Sequence, residues 1–133
     1  MTTKEKVKPT IIIAPLDWGL GHATRILPLI RWINEKYNVV VAAPKKLHFL
    51  YESENVKIEP VSGYNIKYYQ LPVWFSLILQ IPKYMLTAIL ITFQVKKLVK
   101  TYKPSLILSD NRPFFRSASV PSLYLTHQTN IMH

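Results

Sequence analysis

One short loop carries the residues of this chain that are best suited to chemistry. Asp17, His22 and Arg25 follow directly on an apolar run of β-branched residues, and Gly19 and Gly21 stand among them. A histidine near a carboxylate keeps its pKa in the working range of a general base, and an arginine binds anionic groups. Glycines let the backbone approach a ligand closely. The loop therefore predicts a site that holds a hydroxyl or an anion and moves a proton.

The two aspartates of the chain occupy comparable places. Asp17 and Asp110 each come just after an apolar, strand-like run. In an open parallel sheet the carboxyl ends of the central strands share one crevice, so the two carboxylates are expected to meet there. The competing interpretation is that each aspartate caps the next helix, and that His22 is a surface or capping residue. The residues alone leave both interpretations open.

A dinucleotide-binding interpretation of the loop is weak. The pattern Gly19-x-Gly21-x-x-Thr24 lacks its third glycine. An Ala-Ala-Pro sequence at 42–44 stands where a ribose-binding acid would end the second strand. A nucleotide-binding protein of another kind remains a third possible function, and it predicts that this chain alone binds a nucleotide.

The elements that must position this loop alternate between short strands and longer helices. Strands are predicted at residues 10–14, 38–43, 56–61, 105–109 and 122–126. Helices are predicted up to Lys36 with Pro28 as first residue or kink, from Pro44 through Leu50, and over 71–102 with an interruption at Pro82. Since crossovers between parallel strands are right-handed, we predict an α/β fold: a doubly wound, Rossmann-like sheet of about five strands, ordered 3-2-1-4-5. Its switch point lies between strands one and four.

The composition excludes several classes of protein. With 49% hydrophobic and 12% aromatic residues, a chain of 133 residues can close the core of one domain and is not disordered. It has no cysteine for disulfides or thiolate metal sites, and residues 1–10 contain no apolar segment of a secretory signal. The net charge of +10 comes from scattered lysines, which argues against specific nucleic-acid binding and favours an anionic membrane surface.

Residues 71–95 are markedly apolar, and Lys83 is their only charged residue. Three interpretations remain open: a crossover helix packed in the core, contact with a membrane interface, and a transmembrane span. A lysine near the middle of a span costs about 2.5–3.5 kcal/mol, so a span is disfavoured and two helical pieces are predicted. The predicted membrane contacts are Trp74, Phe75, Tyr84, Lys96 and Lys97.

Three segments resemble the amino-terminal, acceptor-binding domain of GT-B glycosyltransferases. Ala14-Pro15-Leu16-Asp17-Trp18-Gly19-Leu20-Gly21-His22-Ala23-Thr24-Arg25 is similar to the first loop of a bacterial group in that class. The group is related to the enzyme that adds N-acetylglucosamine to the lipid-linked peptidoglycan precursor. Ser109-Asp110-Asn111-Arg112 resembles the loop after the group's fourth strand, and Thr126-His127-Gln128-Thr129-Asn130 resembles the loop after its fifth. The resemblance spans nearly the whole chain.

This resemblance implies a role for each matching residue. His22 would deprotonate or orient the acceptor hydroxyl, and Asp17 and Asp110 would orient it. The residues implied in the acceptor cleft are Gly19, Gly21, Arg25, Asn111, Arg112, His127, Gln128 and Asn130. The carboxyl-terminal donor-binding half of the family has no counterpart here. Residues 1–133 are therefore expected to form a single acceptor-binding domain, inactive alone and completed by a donor-binding domain or subunit.

The implied reaction uses a UDP-sugar and a lipid-linked or other glycan acceptor, and it needs no cofactor. No metal is expected, because there is no Asp-x-Asp pair and cationic residues or helix dipoles can stabilise a leaving diphosphate. The expected location is cytoplasmic, peripheral on the inner face of the cell membrane, and an uncovered cleft is compatible with a homodimer. The alternative function is a non-catalytic membrane-surface or scaffold subunit that retains the fold.

Overall fold

A five-stranded parallel β-sheet forms the centre of the molecule. The structure, a computed structural model, describes residues 7–16, 20–63, 70–110, 112 and 114–125, without the side chain of His22. The strands are β1 (Thr10–Ala14), β2 (Asn38–Ala43), β3 (Lys57–Pro60), β4 (Leu106–Asp110) and β5 (Ser122–Leu125). All four neighbouring pairs are parallel, in the order β3-β2-β1-β4-β5. The predicted doubly wound sheet is confirmed, although β3 is one residue shorter at each end and β4 lies one residue further along the chain.

The switch point lies where it was predicted, between β1 and β4. The chain leaves β1 for β2 and β3 on one side, then crosses back to β4 on the other side. β1 pairs with β4 from Ile11 opposite Leu106 to Ala14 opposite Ser109. At such a point the loops at the carboxyl ends of the two strands diverge and leave a crevice.

The first crossover consists of two helices rather than the single one predicted up to Lys36. These are α1 (Leu20–Arg25) and α2 (Leu27–Asn34). Pro28 is the second residue of α2, where its missing N–H breaks no helical hydrogen bond. Its ring also excludes the carbonyl four residues earlier, which is why α1 ends before it. The connection from β2 to β3 contains 3-10 turns at Lys45–Leu47 and Glu52–Glu54 around α3 (His48–Tyr51).

One helix, α4 (Val73–Tyr102), makes the crossover from β3 to β4. Pro82 lies inside it, so the predicted interruption into two helical pieces is wrong. Pro82 is exposed, and the helix continues on both sides of it although the Ile78 carbonyl has lost its helical donor. Lys103 ends the helix in the left-handed conformation, with φ 46° and its N–H bonded to the Val99 carbonyl at 2.9 Å. Pro104 follows and prevents continuation of the helix.

The sheet is covered differently on its two faces. One face packs on α1, α2 and α3 through buried residues that include Ala23, Ile30, Ile33 and Tyr51. The other face packs on the carboxyl-terminal part of α4 through Ile91, Val95 and Leu98. The β-branched runs of β1 and β2 are buried on both sides, which is typical of central strands in a parallel sheet.

Candidate functional site

The central strands end in buried polar residues at the switch point. Ser109 and Asp110, at the end of β4, are only 3% and 2% exposed. Ser109 pairs with Ala14, the last residue of β1, so Asp110 stands at the edge from which the chain continues toward α1. A buried carboxylate at this edge agrees with the predicted place of Asp110. The predicted partner, Asp17, lies outside the described residues.

Tyr51 forms a hydrogen bond with the backbone of α1, the helix that carries His22. The Tyr51 hydroxyl donates a hydrogen bond of 3.0 Å to the carbonyl oxygen of Ala23, and both residues are fully buried. Burial, and secondarily the negative charge of Asp110, raise the pKa of Tyr51 well above its usual value. The hydroxyl therefore keeps its proton and remains a donor to the backbone of α1.

Arg112 is fully buried, so its surroundings differ from those of an exposed anion-binding arginine. Its Nη2 donates to the Ser62 carbonyl at 2.7 Å, and its guanidinium carbon lies 5.4 Å from the centre of the Phe115 ring. The hydroxyl of Ser109 donates to the carbonyl of Arg112 itself. In this arrangement Arg112 joins the loop after β3 to the loop after β4.

Gln94 of α4 completes this connection. Its Oε1 accepts a hydrogen bond of 2.9 Å from the Ser62 backbone N–H, and its Nε2 donates to the Ser62 hydroxyl at 3.1 Å. We call Ser62, Gln94, Ser109 and Arg112 the loop brace. It ties α4 and two loops at the carboxyl edge of the sheet to one another.

The sequence interpretation missed three residues that shape this edge: Tyr51, Ser62 and Gln94. No local pattern distinguishes them, because their partners stand 28, 50 and 32 residues away in the chain. A tyrosine and a glutamine inside otherwise apolar helical patterns were the only available signal.

A shallow cavity of about 300 Å³ opens beside β4 and β5. Its lining combines two arginines with hydroxyl and aromatic groups: Ser109, Arg112, Phe115, Arg116, Ser122, Leu123 and Tyr124. Arg116, Leu123 and Tyr124 are exposed. Cationic and hydroxyl groups around an apolar wall suit an anionic or sugar-bearing ligand with an apolar part.

The predicted residues of the first loop are partly described. His22 is the third residue of α1, and Gly21 and Arg25 are exposed on the same helix. A Cβ atom added at Gly21 would meet no atom within 4 Å, so packing does not require glycine there. Gly19, Asn111, His127, Gln128 and Asn130 lie outside the described residues. Across the described ranges, no three His, Cys, Asp or Glu residues gather in a way that could hold a metal ion.

The predicted membrane-contact residues lie on α4. Trp74 and Phe75 are 65% and 40% exposed, and Lys96 and Lys97 are also exposed. Tyr84 is half-buried, and its hydroxyl lies 3.4 Å from Gln80 Oε1 on the same helix. By length and composition α4 could cross a membrane: an 18-residue window has a mean hydropathy of 1.5 and is 17% buried.

Solved structures with a similar fold include two glycosyltransferases. The glycotransferase of kitacinnamycin aligns with 88% of this chain and 30% of its own, at a TM-score of 0.65 and 16% identity. SsfS6, from Streptomyces sp. SF2575, aligns with 87% of this chain and 38% of its own, at a TM-score of 0.60 and 13% identity. The chain thus spans about a third of these proteins and has the α/β fold of one half of a GT-B glycosyltransferase.

A third structure shows that the fold does not determine the activity. The C-terminal domain of a hydrogenase from Pyrococcus furiosus aligns with 94% of this chain and 98% of its own, at a TM-score of 0.51 and 12% identity. No protein-family model matches the sequence, and no curated protein matches it. The function must therefore be argued from the site.

Proposed function

We propose that this chain is the acceptor-binding half of a UDP-sugar-dependent glycosyltransferase that acts on a lipid-linked or otherwise amphiphilic acceptor. The observation that carries the proposal is the position of α1, the helix that contains Gly21 and His22. It follows β1, whose carboxyl end borders the switch point of a sheet that has the fold of a GT-B half. Ligands of open α/β sheets bind in that crevice.

The proposed reaction moves a sugar from a diphosphate to a hydroxyl. His22 takes the proton of the acceptor hydroxyl, whose oxygen then bonds to the anomeric carbon of the sugar. The bond from that carbon to the diphosphate breaks, and the electron pair leaves on the nucleoside diphosphate. Asp17 and Asp110 orient the histidine or the hydroxyl, and Arg25 holds an anionic group of the acceptor.

Because Arg112 is buried, we propose that it stabilises the neighbouring loops rather than binding the acceptor. A charged group with its hydrogen bond directed at the Ser62 carbonyl maintains the shape of the two loops that border the crevice. The other acceptor-cleft residues that the resemblance implies are Asn111, His127, Gln128 and Asn130. We therefore assign binding of acceptor charge to Arg25, which is exposed on α1.

The donor-binding half is proposed to be a second domain or subunit. This chain spans 30% and 38% of the two glycosyltransferases that it resembles, and its loop after strand one lacks the third glycine of a dinucleotide-binding pattern. The chain alone is then expected to be inactive and to bind UDP-sugar weakly.

Calorimetric titration with UDP-N-acetylglucosamine and with UDP tests this division. We expect no binding to the chain alone and binding once a donor-domain protein is added. Micromolar binding to the chain alone would contradict the assignment, because the nucleotide site would then lie in this half.

The catalytic assignment is tested in the two-domain enzyme. Loss of a general base usually lowers the rate by about 10²- to 10⁴-fold, so His22→Ala should reduce sugar transfer by that factor. His48→Gln is the matched control, because His48 lies in α3, where its Nε2 contacts the Ala43 carbonyl at 2.8 Å. Transfer by His22→Ala within a few fold of wild type would refute the base.

A second candidate function is favoured by the exposed apolar side chains of α4: a non-catalytic subunit that places a partner at a membrane surface. The two functions differ in one measurement. A non-catalytic subunit would support the activity of its partner equally well with Ala at position 22.

A further inference from the structure

Only part of helix α4 packs on the core of the sheet. The hydrogen bonds between Gln94 and Ser62 place Gln94 level with the loop after β3, at the carboxyl edge of the sheet. Only the part after this point packs on the sheet core, apart from Ile91 one turn earlier. Residues 73–93 precede this point and form about 30 Å of helix at 1.5 Å per residue, on the carboxyl-edge side of Gln94. The candidate site lies at this same edge.

The part of α4 before Gln94 has one broad apolar side that is exposed. Nine large side chains lie on it, each 40–65% exposed: Trp74, Phe75, Ile78, Leu79, Ile81, Met85, Leu86, Ile89 and Phe93. We call this set the α4 apolar face. At 3.6 residues per turn these positions cover about half of the helix circumference. Contiguous exposed apolar surface of this size is uncommon on soluble monomers and indicates a binding surface.

The opposite side of the helix carries a stripe of polar residues among apolar ones. Ser76, Gln80, Tyr84, Thr87 and Gln94 recur at intervals of three, four and seven residues, and each is buried or half-buried. A helix that crossed a bilayer would place this stripe and Lys83 in hydrocarbon, which is costly. A helix that lies in the interface keeps the polar side toward protein and water while its apolar side enters the lipid.

Four lysines follow the α4 apolar face along the chain. Lys96, Lys97, Lys100 and Lys103 follow Phe93, and Lys96 Nζ lies 5.9 Å from the centre of the Phe93 ring. Helix α4 contains no acidic residue, and the whole chain carries a net charge of +10. The charge favours an anionic surface and opposes close approach of a second copy of this chain.

We propose that the α4 apolar face inserts into the headgroup–acyl boundary of an anionic bilayer while the four lysines bind its headgroups. This orientation brings the carboxyl edge of the sheet to the membrane surface, where an amphiphilic acceptor is anchored. The inference deepens the proposed function by naming its partner surface. Its test measures lipid binding rather than sugar transfer. Failure of the membrane proposal can therefore be distinguished from failure of the proposed function.

Two tryptophans provide a matched pair of reporters. Trp74 lies on the α4 apolar face, and Trp32 lies on α2, which covers the opposite face of the sheet. They are 65% and 63% exposed. The double variant Trp18→Phe/Trp32→Phe leaves Trp74 as the only tryptophan, and Trp18→Phe/Trp74→Phe leaves Trp32.

Both variants are mixed with vesicles of phosphatidylglycerol and with vesicles of phosphatidylcholine, each with and without brominated acyl chains. We expect Trp74 emission to shift to the blue and to be quenched in brominated phosphatidylglycerol, and Trp32 emission to stay unchanged. Absence of binding, or equal quenching of the two reporters, would overturn the proposal. Equal quenching would mean that the chain has no preferred orientation.

The lysines are tested by charge removal. The variant Lys96→Gln/Lys97→Gln/Lys100→Gln should bind phosphatidylglycerol vesicles on the order of a hundredfold more weakly, since each basic residue near an anionic surface contributes roughly a factor of five. The variant Lys36→Gln/Lys45→Gln/Lys46→Gln removes the same charge from exposed positions on the α2 and α3 side. Equal losses in both variants would show that net charge alone drives binding.

Self-association is the competing outcome. Sedimentation equilibrium of the chain without lipid should show a monomer. A dimer that dissociates in the variant Met85→Ser/Phe93→Ser, together with no binding to vesicles, would identify a second copy as the occupant of this face and overturn the proposal.

Discussion

The Tyr51 hydroxyl donates to the carbonyl oxygen of Ala23, the residue that follows His22, across 3.0 Å in the buried interior. This bond connects α3, which lies between β2 and β3, to the helix that carries the proposed base. The position of His22 therefore depends on a residue 28 positions away in the chain. Tyr51 acts through the backbone of α1 and is a positioning residue.

Replacing Tyr51 by Phe tests that role. Tyr51→Phe leaves the buried Ala23 carbonyl without its donor, which costs about 1–3 kcal/mol in the free energy of unfolding. Urea denaturation measures the loss, and amide exchange of residues 20–25 should accelerate. Tyr84→Phe is the control, since its hydroxyl lies 3.4 Å from Gln80 Oε1 and is only half-buried. Equal effects of the two substitutions would contradict a specific role for Tyr51.

Substitution of the two arginines near the crevice should affect different properties: stability for Arg112 and acceptor binding for Arg25. Arg112→Met removes a charged donor from the Ser62 carbonyl and should lower the free energy of unfolding by about 1.5–3 kcal/mol. Arg25→Met changes an exposed side chain and should stay within about 0.5 kcal/mol of wild type. In the two-domain enzyme, Arg25→Met should instead raise the KM for an anionic acceptor. Thermal unfolding and steady-state kinetics separate the two, and a stable Arg112→Met variant would remove Arg112 from the loop brace.

The amide of Gln94 makes two separable contacts with Ser62. Gln94→Leu abolishes both and leaves the Ser62 N–H unpaired, for a loss of about 1–3 kcal/mol in the free energy of unfolding. Gln94→Glu keeps the acceptor for that N–H and should lose less. Chemical denaturation of the two variants checks the order. Equal losses in the two variants would mean that the bond to the Ser62 hydroxyl dominates, and a larger loss in Gln94→Glu would mean that the cost of a half-buried carboxylate exceeds the value of both contacts.

Pro82 is a local destabilising feature inside α4. A proline in a helix interior costs about 3 kcal/mol relative to alanine, and this one is exposed, so Pro82→Ala should raise the stability of α4 by up to that amount. Circular dichroism during thermal unfolding measures the change. Pro72 stands just before the first helical residue, so Pro72→Ala should have little effect. No gain in Pro82→Ala would mean that packing of the helix has already absorbed the cost.

Stability should fall at high pH because of Tyr102. Partial burial and its hydrogen bond to Glu59 raise the pKa of Tyr102 from 10.0 to about 12. Between these values the unfolded chain loses the phenolic proton while the folded chain keeps it, so the free energy of unfolding decreases as the pH rises. Below pH 10 the contribution is complete. Denaturation across this range should show a shallower decline in Tyr102→Phe, and identical slopes would refute the assignment.

The central strands were predictable because their signal is local. The isoleucines of β1 and the valines of β2 form β-branched runs whose bounds, Thr10–Ala14 and Asn38–Ala43, match the prediction. Strand order followed from the right-handed crossover rule, which needs only the alternation of strands and helices. The place of Asp110 at the switch point followed from that order.

Helix α4 shows where local rules were insufficient. The cost of Pro82 predicted a break, but the helix continues because the helix-favouring residues on both sides outweigh one lost hydrogen bond. The apolar composition of residues 71–95 did not reveal which side of the helix the sheet covers. That side is set by Ile91, Val95 and Leu98, which pack on the sheet core.

The sequence by itself determined the class of fold, the strand order and the loop that carries the candidate chemistry, since periodicity and motif spacing are properties of neighbouring residues. Only the tertiary structure decided that Arg112 is buried, that Tyr51 and Gln94 support the site edge, and that one apolar side of α4 before Gln94 stays exposed. The physical reason is that these features depend on contacts between residues 28 to 50 positions apart. Folding brings such residues together, and no local sequence pattern predicts these contacts.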